Sequence, residues 1–413
     1  MPLKPTRDAA LAMLAAFAPK MGRHYASGRN YDRGPGRHKD VSTLSPYVRR
    51  RLITEGELVA TACANHGLPG AEKFVQEVFW RSYFKGWLER RPQIWTAYRD
   101  GLRRDREGLA RDPGLLAALA RAEGGNTGLA CFDAWVAELV DTGYLHNHAR
   151  MWFASIWIFT LGLPWRLGAD FFYRHLLDGD PAANTLGWRW VAGLHTRGKA
   201  YQAKAWNVAK YTAGRFSPRE DDFASPVAPL DRSEPEGLPP VQPIGAVAPL
   251  KLDVPTALLI TEEDCHIESL LPEPMRSGTG KPVAYATLGA SDLRSDRSTA
   301  AHVARFEAGA LADAAKRLGG HATAFRAEHR DRTAEAMIAW ARVHGAAQIA
   351  TAHIPQGPLR DWVERVAPEL QAAGVALCTL RRPWDDAVWR HATAGFFKVK
   401  RQIPKILQTL DIV

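Results

Sequence analysis

Between Tyr144 and Trp190 the sequence sets a group of polar side chains against an apolar, tryptophan-rich background. Asn147, His148, Arg150, Asp178, Asp180 and Asn184 stand among Trp152, Trp157, Trp165, Trp188 and Trp190. An arginine and an aspartate in an apolar interior should pair, because a lone buried charge is very costly. Arg150 and Asp178 are the expected partners. The stretch between them is long enough for one helix out and a second one back.

Other residues invite chemistry more weakly. Ser42, Thr43 and Ser45 offer hydroxyls and backbone N–H groups at the start of a helix, a reasonable place for a phosphate, though such residues are more often a plain N-cap. Glu77 and Trp80 are three apart and share one side of a helix. Arg197, Lys199, Lys204, Lys210 and Arg215 are interleaved with Tyr201, Trp206 and Tyr211. That pattern suits phosphate contact with base stacking, or a basic-faced helix packed by its rings. Cys63, Cys131, Cys265 and Cys378 lie too far apart for a metal site, and no metal is expected. Reduced thiols in an intracellular protein are expected instead. Gly278-Thr279-Gly280-Lys281 is too short for a phosphate loop and reads as a turn.

The elements that must carry these residues follow from periodicity. With 413 residues the chain exceeds one ordinary core, so two domains are expected. Helices are expected at 5–20, 52–65, 71–90, 109–122 and 132–139, with loop from Arg23 to Lys39. The N-terminus reads as an amphipathic helix rather than a signal peptide, and no run reaches transmembrane length. Residues 221–255 are rich in Pro and read as a linker. Beyond it, short apolar runs at 256–261, 283–288, 322–325, 348–352 and 375–380 alternate with helical patterns at 299–318, 331–344 and 359–373. That alternation predicts a parallel sheet. The expected division is an all-helical domain over 1–220, the linker over 221–255, a Rossmann-like α/β domain over 256–392 and a basic tail over 393–413. The net charge of +10 permits nucleic-acid contact without requiring it.

The HNHARM run at Arg150 and the phrase Asp178-Gly179-Asp180-Pro181-Ala182-Ala183-Asn184, followed by Gly187-Trp188-Arg189-Trp190, resemble the flavin-binding core of the photolyase/cryptochrome family. The resemblance implies an all-helical FAD-binding domain. It places Ser42, Thr43, Leu44 and Ser45 on the loop that holds the flavin phosphates, and Gln76 and Arg81 on a helix with flavin contacts. It sets Arg150, Asp178 and Asp180 beside the flavin ring and Asn184 opposite its N5 atom. Glu77, Trp80, Asn147, Met151 and Trp190 would line a cavity for a flipped-out pyrimidine dimer. Trp188 and Trp165 match the inner two members of a tryptophan chain that carries electrons. No tryptophan stands near residues 110–115, where the outer member is expected, so Trp157, Trp152 or Trp135 becomes the exit, while at least half of these indoles are plain packing.

The resemblance implies FAD-dependent, light-driven splitting of cyclobutane pyrimidine dimers. The rival expectation is a cryptochrome-like photoreceptor that signals through a protein partner, and a third is a scaffold that has lost the cofactor. The expected partner is UV-damaged DNA, with no membrane. A monomer in the cytoplasm is expected, associated with the nucleoid if it binds DNA. Four departures stand out. The α/β domain follows the helical one, which suggests permutation. The loop after its first strand is acidic, Glu262-Glu263-Asp264, so an antenna chromophore is not assumed. His148 replaces a phosphate-contacting Arg, and the LHTRGKAYQAK segment differs from the repair enzymes' phrase.

Overall fold

The computed structural model describes residues 3–277, 280–328 and 332–413. Helices run over Arg7–Phe17 (α1), Glu55–Glu89 (α2), Pro92–Leu109 (α3), Pro113–Glu123 (α4), Ala130–Thr142 (α5), Asn147–Ser155 (α6), Trp165–His175 (α7) and Pro181–Val191 (α8). Strands Thr256–Thr261 (β1), Ala284–Gly289 (β2), Thr323–Arg326 (β3), Gln348–Ala352 (β4) and Ala376–Leu380 (β5) follow, with helices Ala301–Arg317 (α9), Thr333–Val343 (α10) and Pro358–Ala372 (α11) between them. The chain is therefore largely helical in its first half, with a parallel α/β part after it, as the patterning predicts.

Details differ from expectation for physical reasons. The two helices expected at 52–65 and 71–90 join as α2, broken at Gly67, whose φ of 66° and ψ of 160° leave the helical region. Pro69 follows directly and reinforces the break. Thr54 starts α2 with a reciprocal capping box to Glu57. Helix α3 is not among the expected segments, and Leu109 ends it rather than starting the next helix. Its buried Ile94, Trp95, Tyr98 and Leu102 carry a helical period, but seven charged residues between Arg99 and Glu107 dilute the apolar signal. The expected loop at 23–39 begins with a helix, Arg23–Gly28. Residues 221–255 hold two short 3-10 turns and no strand. Of the turn at 278–281, Gly278 and Thr279 lie outside the described residues, as does residue 331 of the helix expected from there.

Two compact units divide the chain: Met1–Met21, Leu44–Arg90 and Gln242–Val413 form unit 1, and Gly22–Thr43 with Arg91–Val241 form unit 2. In unit 1 the five strands lie parallel in the order β3-β2-β1-β4-β5. The register pairs Leu259 with Ala286 on one side and with Thr351 on the other. Central β1 is buried along its full length, which is why it reads as an unbroken apolar run. Ala257, Leu259, Ile349, Trp340 and Trp362 belong to the core between sheet and helices.

The acidic loop leaving β1 does not face solvent. Arg49 reaches Glu263 at 2.8 Å and Glu262 at 3.3 Å, Lys85 reaches Glu263 at 3.2 Å, and Arg294 reaches Glu262 at 3.3 Å. Arg382 grips Asp264 with two bonds of 2.6 and 2.7 Å, and Arg51 holds Asp385 at 2.6 Å. All of these side chains are buried. Mutual pairing is what makes so many buried charges tolerable. Arg51 adopts a left-handed φ of 49°, a strained conformation for a side chain of its size.

The basic tail packs on α2. Phe396 stacks on Trp80 with centroids 4.0 Å apart, Tyr83 donates to the Ala394 carbonyl at 2.9 Å, and Lys400 meets Glu72 at 3.2 Å. In unit 2, α7 packs against α3 and α8, and α8 against α6. Gly168 on α7 is needed there, because a Cβ would sit 2.3 Å from the Trp188 ring and 2.9 Å from that of Trp157.

Candidate functional site

The strongest expectation of the sequence is met in unit 2. Arg150 on α6 directs one Nη to both carboxylate oxygens of Asp178, at 3.0 and 2.9 Å. Its Nε donates to the Leu145 carbonyl at 2.8 Å, which fixes the guanidinium plane. Asp178 is buried at the end of the α6–α7 hairpin. Tyr144 lies beneath the guanidinium, 5.9 Å away, and burial raises its hydroxyl well above the usual phenol range. Asp180 caps α8, taking the Ala183 N–H at 2.9 Å, and Pro181 follows at the first helical position. One turn on, Asn184 donates through Nδ2 to the Ala169 carbonyl of α7 at 2.8 Å. Its amide oxygen takes no hydrogen bond among the described residues and is left to accept one.

The remaining candidates of unit 2 flank this core. Asn147 is exposed at the first turn of α6, and Met151 one turn later is half-buried. Trp190 is half-buried beside Tyr201, centroids 5.4 Å apart. His148 stacks on Trp152 at 4.2 Å, and its Nδ1 meets the Asn30 carbonyl at 3.0 Å. Burial lowers its pKa, so it is neutral near pH 7 and offers no charge to a phosphate. His146 is pushed down to about 3 for the same reason.

The tryptophans sort into two groups. Trp188 and Trp157 are both buried and meet edge to face, centroids 6.1 Å apart. The Trp188 indole N–H is buried without a protein partner. Trp165 stands one turn before Gly168, on which Trp188 rests, so the two indoles share a face of α7. Trp165 in turn packs on Tyr98 at 5.8 Å, and Tyr98 on Trp95 at 5.4 Å. Sequence reasoning missed these last two rings, because their helix α3 was missed. Their spacing of three residues was the available signal. Trp152 and Trp135 stack on each other at 5.5 Å, and Trp152 also bonds Asn207 at 3.0 Å.

In unit 1, Gln76, Glu77, Trp80 and Arg81 occupy consecutive turns of α2 and are each half-buried. Gln76 donates to Glu72 at 2.6 Å. One face of Trp80 is taken by Phe396, and its edge by Tyr83 at 5.4 Å. In the stretch Ser42-Thr43-Leu44-Ser45, Thr43 Oγ1 donates to the Ser42 carbonyl at 2.8 Å. Thr43 has a φ of 51°, a left-handed conformation that a β-branched residue avoids unless function or context demands it. Leu44 returns to right-handed φ just before the short helix Ser45–Arg49.

Asp32, His38 and Glu138 bring one ligand-type atom each within 4.8 Å of one another. His38 Nε2 lies 2.6 Å from Glu138, closer than the ~3.3 Å that separates two ligands on a tetrahedral ion. Asp32 is already held by Trp135 Nε1 and the Gly34 N–H, both at 3.0 Å. The group is a hydrogen-bonded cluster. Among the described residues no helix is long and apolar enough to cross a membrane.

Residues 74–219 match the FAD binding domain of DNA photolyase. The chain is similar to the deoxyribodipyrimidine photo-lyase of Streptomyces griseus, 38% identical over 157 residues that cover 38% of this chain and 33% of the relative. It is similar to that of Thermus thermophilus, 36% identical over 199 residues, 46% of this chain and 43% of the relative. It thus spans half or less of the length of the curated relatives it matches. A bacterial class III photolyase structure from Agrobacterium tumefaciens aligns with a TM-score of 0.39 at 24% identity, over 50% of this chain and 43% of that one.

Proposed function

We propose that this chain is a light-driven repair flavoprotein that splits cyclobutane pyrimidine dimers in UV-damaged DNA. The observation that carries the reading is the Arg150–Asp178 bridge, together with an Asn184 whose amide is anchored to α7 and whose oxygen accepts no hydrogen bond among the described residues, inside the segment that matches an FAD binding domain. When bound, FAD would supply the light-driven one-electron chemistry. Arg150, Asp178 and Asp180 would hold the ring. Asn184 would accept a hydrogen bond from it without taking up a formal proton. Ser42, Thr43, Leu44 and Ser45 would hold the phosphates, and Gln76 and Arg81 would add contacts. Glu77, Trp80, Asn147, Met151 and Trp190 would receive the flipped dimer, Glu77 by a hydrogen bond to a pyrimidine edge.

Electrons for the site would pass through Trp188 and Trp165. From Trp165 the ladder of Tyr98 and Trp95 supports an exit along α3, and Trp157 supports a buried side branch.

One observation favours a second reading. A Trp80 face stacked by the chain's own Phe396 leaves less aromatic surface for a base, which suits a light sensor that does not repair.

The test is to purify the protein, record its spectrum, and illuminate it with dimer-containing DNA at near-UV or blue wavelengths. Flavin bands with dimer loss in light but not in darkness support repair. Flavin bands without dimer loss favour the sensor. Absence of flavin overturns both. Asp178→Ala is the control variant: it leaves Arg150 without its carboxylate, and we expect flavin bands to disappear and unfolding to become easier by about 2 kcal/mol. Retained flavin in that variant would remove the pair from the cofactor site.

A further inference from the structure

We infer that unit 2 contains a preorganised anion site, apart from the flavin residues, that takes a phosphate-bearing ligand. A cavity of about 570 Å³ is lined by Arg33, Arg37, Lys39 and Arg215, with Gly36 and Thr212 among its other walls. That volume lies within the range of small-molecule sites.

Two of the four cations are fixed in place before any ligand arrives. Arg215 is held by buried Asp32, at 3.4 and 3.5 Å, and its guanidinium lies 4.8 Å from the Phe216 ring. Asp32 is itself pinned by Trp135 and by the Gly34 N–H. Gly34 has a φ of 87°, and a Cβ there would collide with the Arg215 guanidinium at 2.0 Å. Glycine is thus what lets the cation lie flat on the loop. Arg33 donates from Nε to buried Asp40 at 2.9 Å and sits over Tyr31 at 4.5 Å. Carboxylates behind the wall hold the guanidiniums, and their remaining N–H groups are available to a ligand.

The other two cations are spare. Arg37 and Lys39 meet no carboxylate among the described residues. Four cations set against two carboxylates leave an excess of positive charge at a concave surface, where low-dielectric walls focus it. Planar guanidiniums with one flexible ammonium match phosphate oxygens, and arginine favours a bidentate grip. Phosphate esters reach such a site from two sources, as a free nucleotide or as the backbone of a nucleic acid strand.

The test uses the full protein as purified, kept in darkness, with inorganic pyrophosphate and a labelled undamaged single-stranded oligonucleotide as probes. The variant is Arg37→Glu with Lys39→Glu, which spares the Arg215–Asp32 and Arg33–Asp40 pairs that support the fold. We expect pyrophosphate to bind the native protein at one site and at least about tenfold more weakly to the variant. If the oligonucleotide also weakens, competes with pyrophosphate and shows a shallower salt dependence, the phosphate belongs to nucleic acid. If the oligonucleotide is unaffected while pyrophosphate is lost, the ligand is a free phosphate ester. Unchanged binding of both probes in the variant overturns the site. Neither probe requires flavin, light or a lesion, so these outcomes are independent of the repair reading.

Discussion

Glu307 shows what a single side chain does to this fold. It is buried at the ends of β1 and β2, where it takes the Ala290 and Ser291 N–H groups at 2.6 and 3.0 Å. Burial, and then the neighbouring Glu262, push its pKa up to about 8, while the surrounding arginines hold Glu262 below the carboxylate range. The folded chain therefore keeps a proton on Glu307 that the unfolded chain releases above its ordinary value of 4.5. Stability from this group falls as pH rises from about 4.5 to about 8, by on the order of 5 kcal/mol. Glu262 acts in the opposite sense and loses its contribution only in acid. Glu307→Gln should flatten the decline of unfolding free energy between pH 5 and 8 in denaturant titrations; an unchanged slope would mean that the proton is held elsewhere. At this scale the sequence is legible only in part. Arg150 with Asp178 could be paired from chemistry and spacing, because each needs the other. Glu262, Glu263 and Asp264 could not be assigned to Arg49, Arg294, Lys85 and Arg382, because contacts separated by up to 214 residues leave no local period.

Among the elements, α6 and α7 were readable from the length of chain between Arg150 and the DGD turn, whereas α8, capped by Asp180 with Pro181 at its first position, was not among the expected segments. All five strands were readable within a residue or two, since a sheet buried in a parallel α/β layer writes short apolar runs. Helix α3 was hidden by its charges, and with it Tyr98 and Trp95. Those two rings carry the prediction at this scale. Trp188→Phe should halt light-driven flavin reduction while flavin remains bound. Tyr98→Phe and Trp95→Phe should leave the inner step intact and shorten the lifetime of the tryptophan radical seen by transient absorption, by about tenfold for each ~1.4 kcal/mol taken off the barrier to recombination. Native lifetimes in both, with a shortened one in Trp157→Phe, would move the exit to Trp157. Arg166, 4.9 Å from the Trp165 ring, favours outward passage, since a cation beside an oxidised indole repels its positive charge.

Across the whole molecule, sequence boundaries and compact units are different things. Composition separates residues 1–220 from the rest, yet the compact unit that includes α2 also includes Gln242–Val413. Phe79, Tyr83 and Trp87 on α2 are buried, and Trp384 and Phe396 pack on the first two. A fragment ending at residue 220 should therefore expose this apolar face and accumulate as insoluble protein. Co-expression with 242–413 should restore soluble material, and a soluble, cooperatively folding 1–220 fragment would show that α2 needs no such partner. The same interleaving has a consequence during synthesis. About 150 residues of unit 2 separate Arg90 from Gln242, which a ribosome takes on the order of 10 s to add. Throughout that interval the aromatic flank of α2 waits in the crowded cell with its partners still untranslated, a natural point for a holdase chaperone to bind.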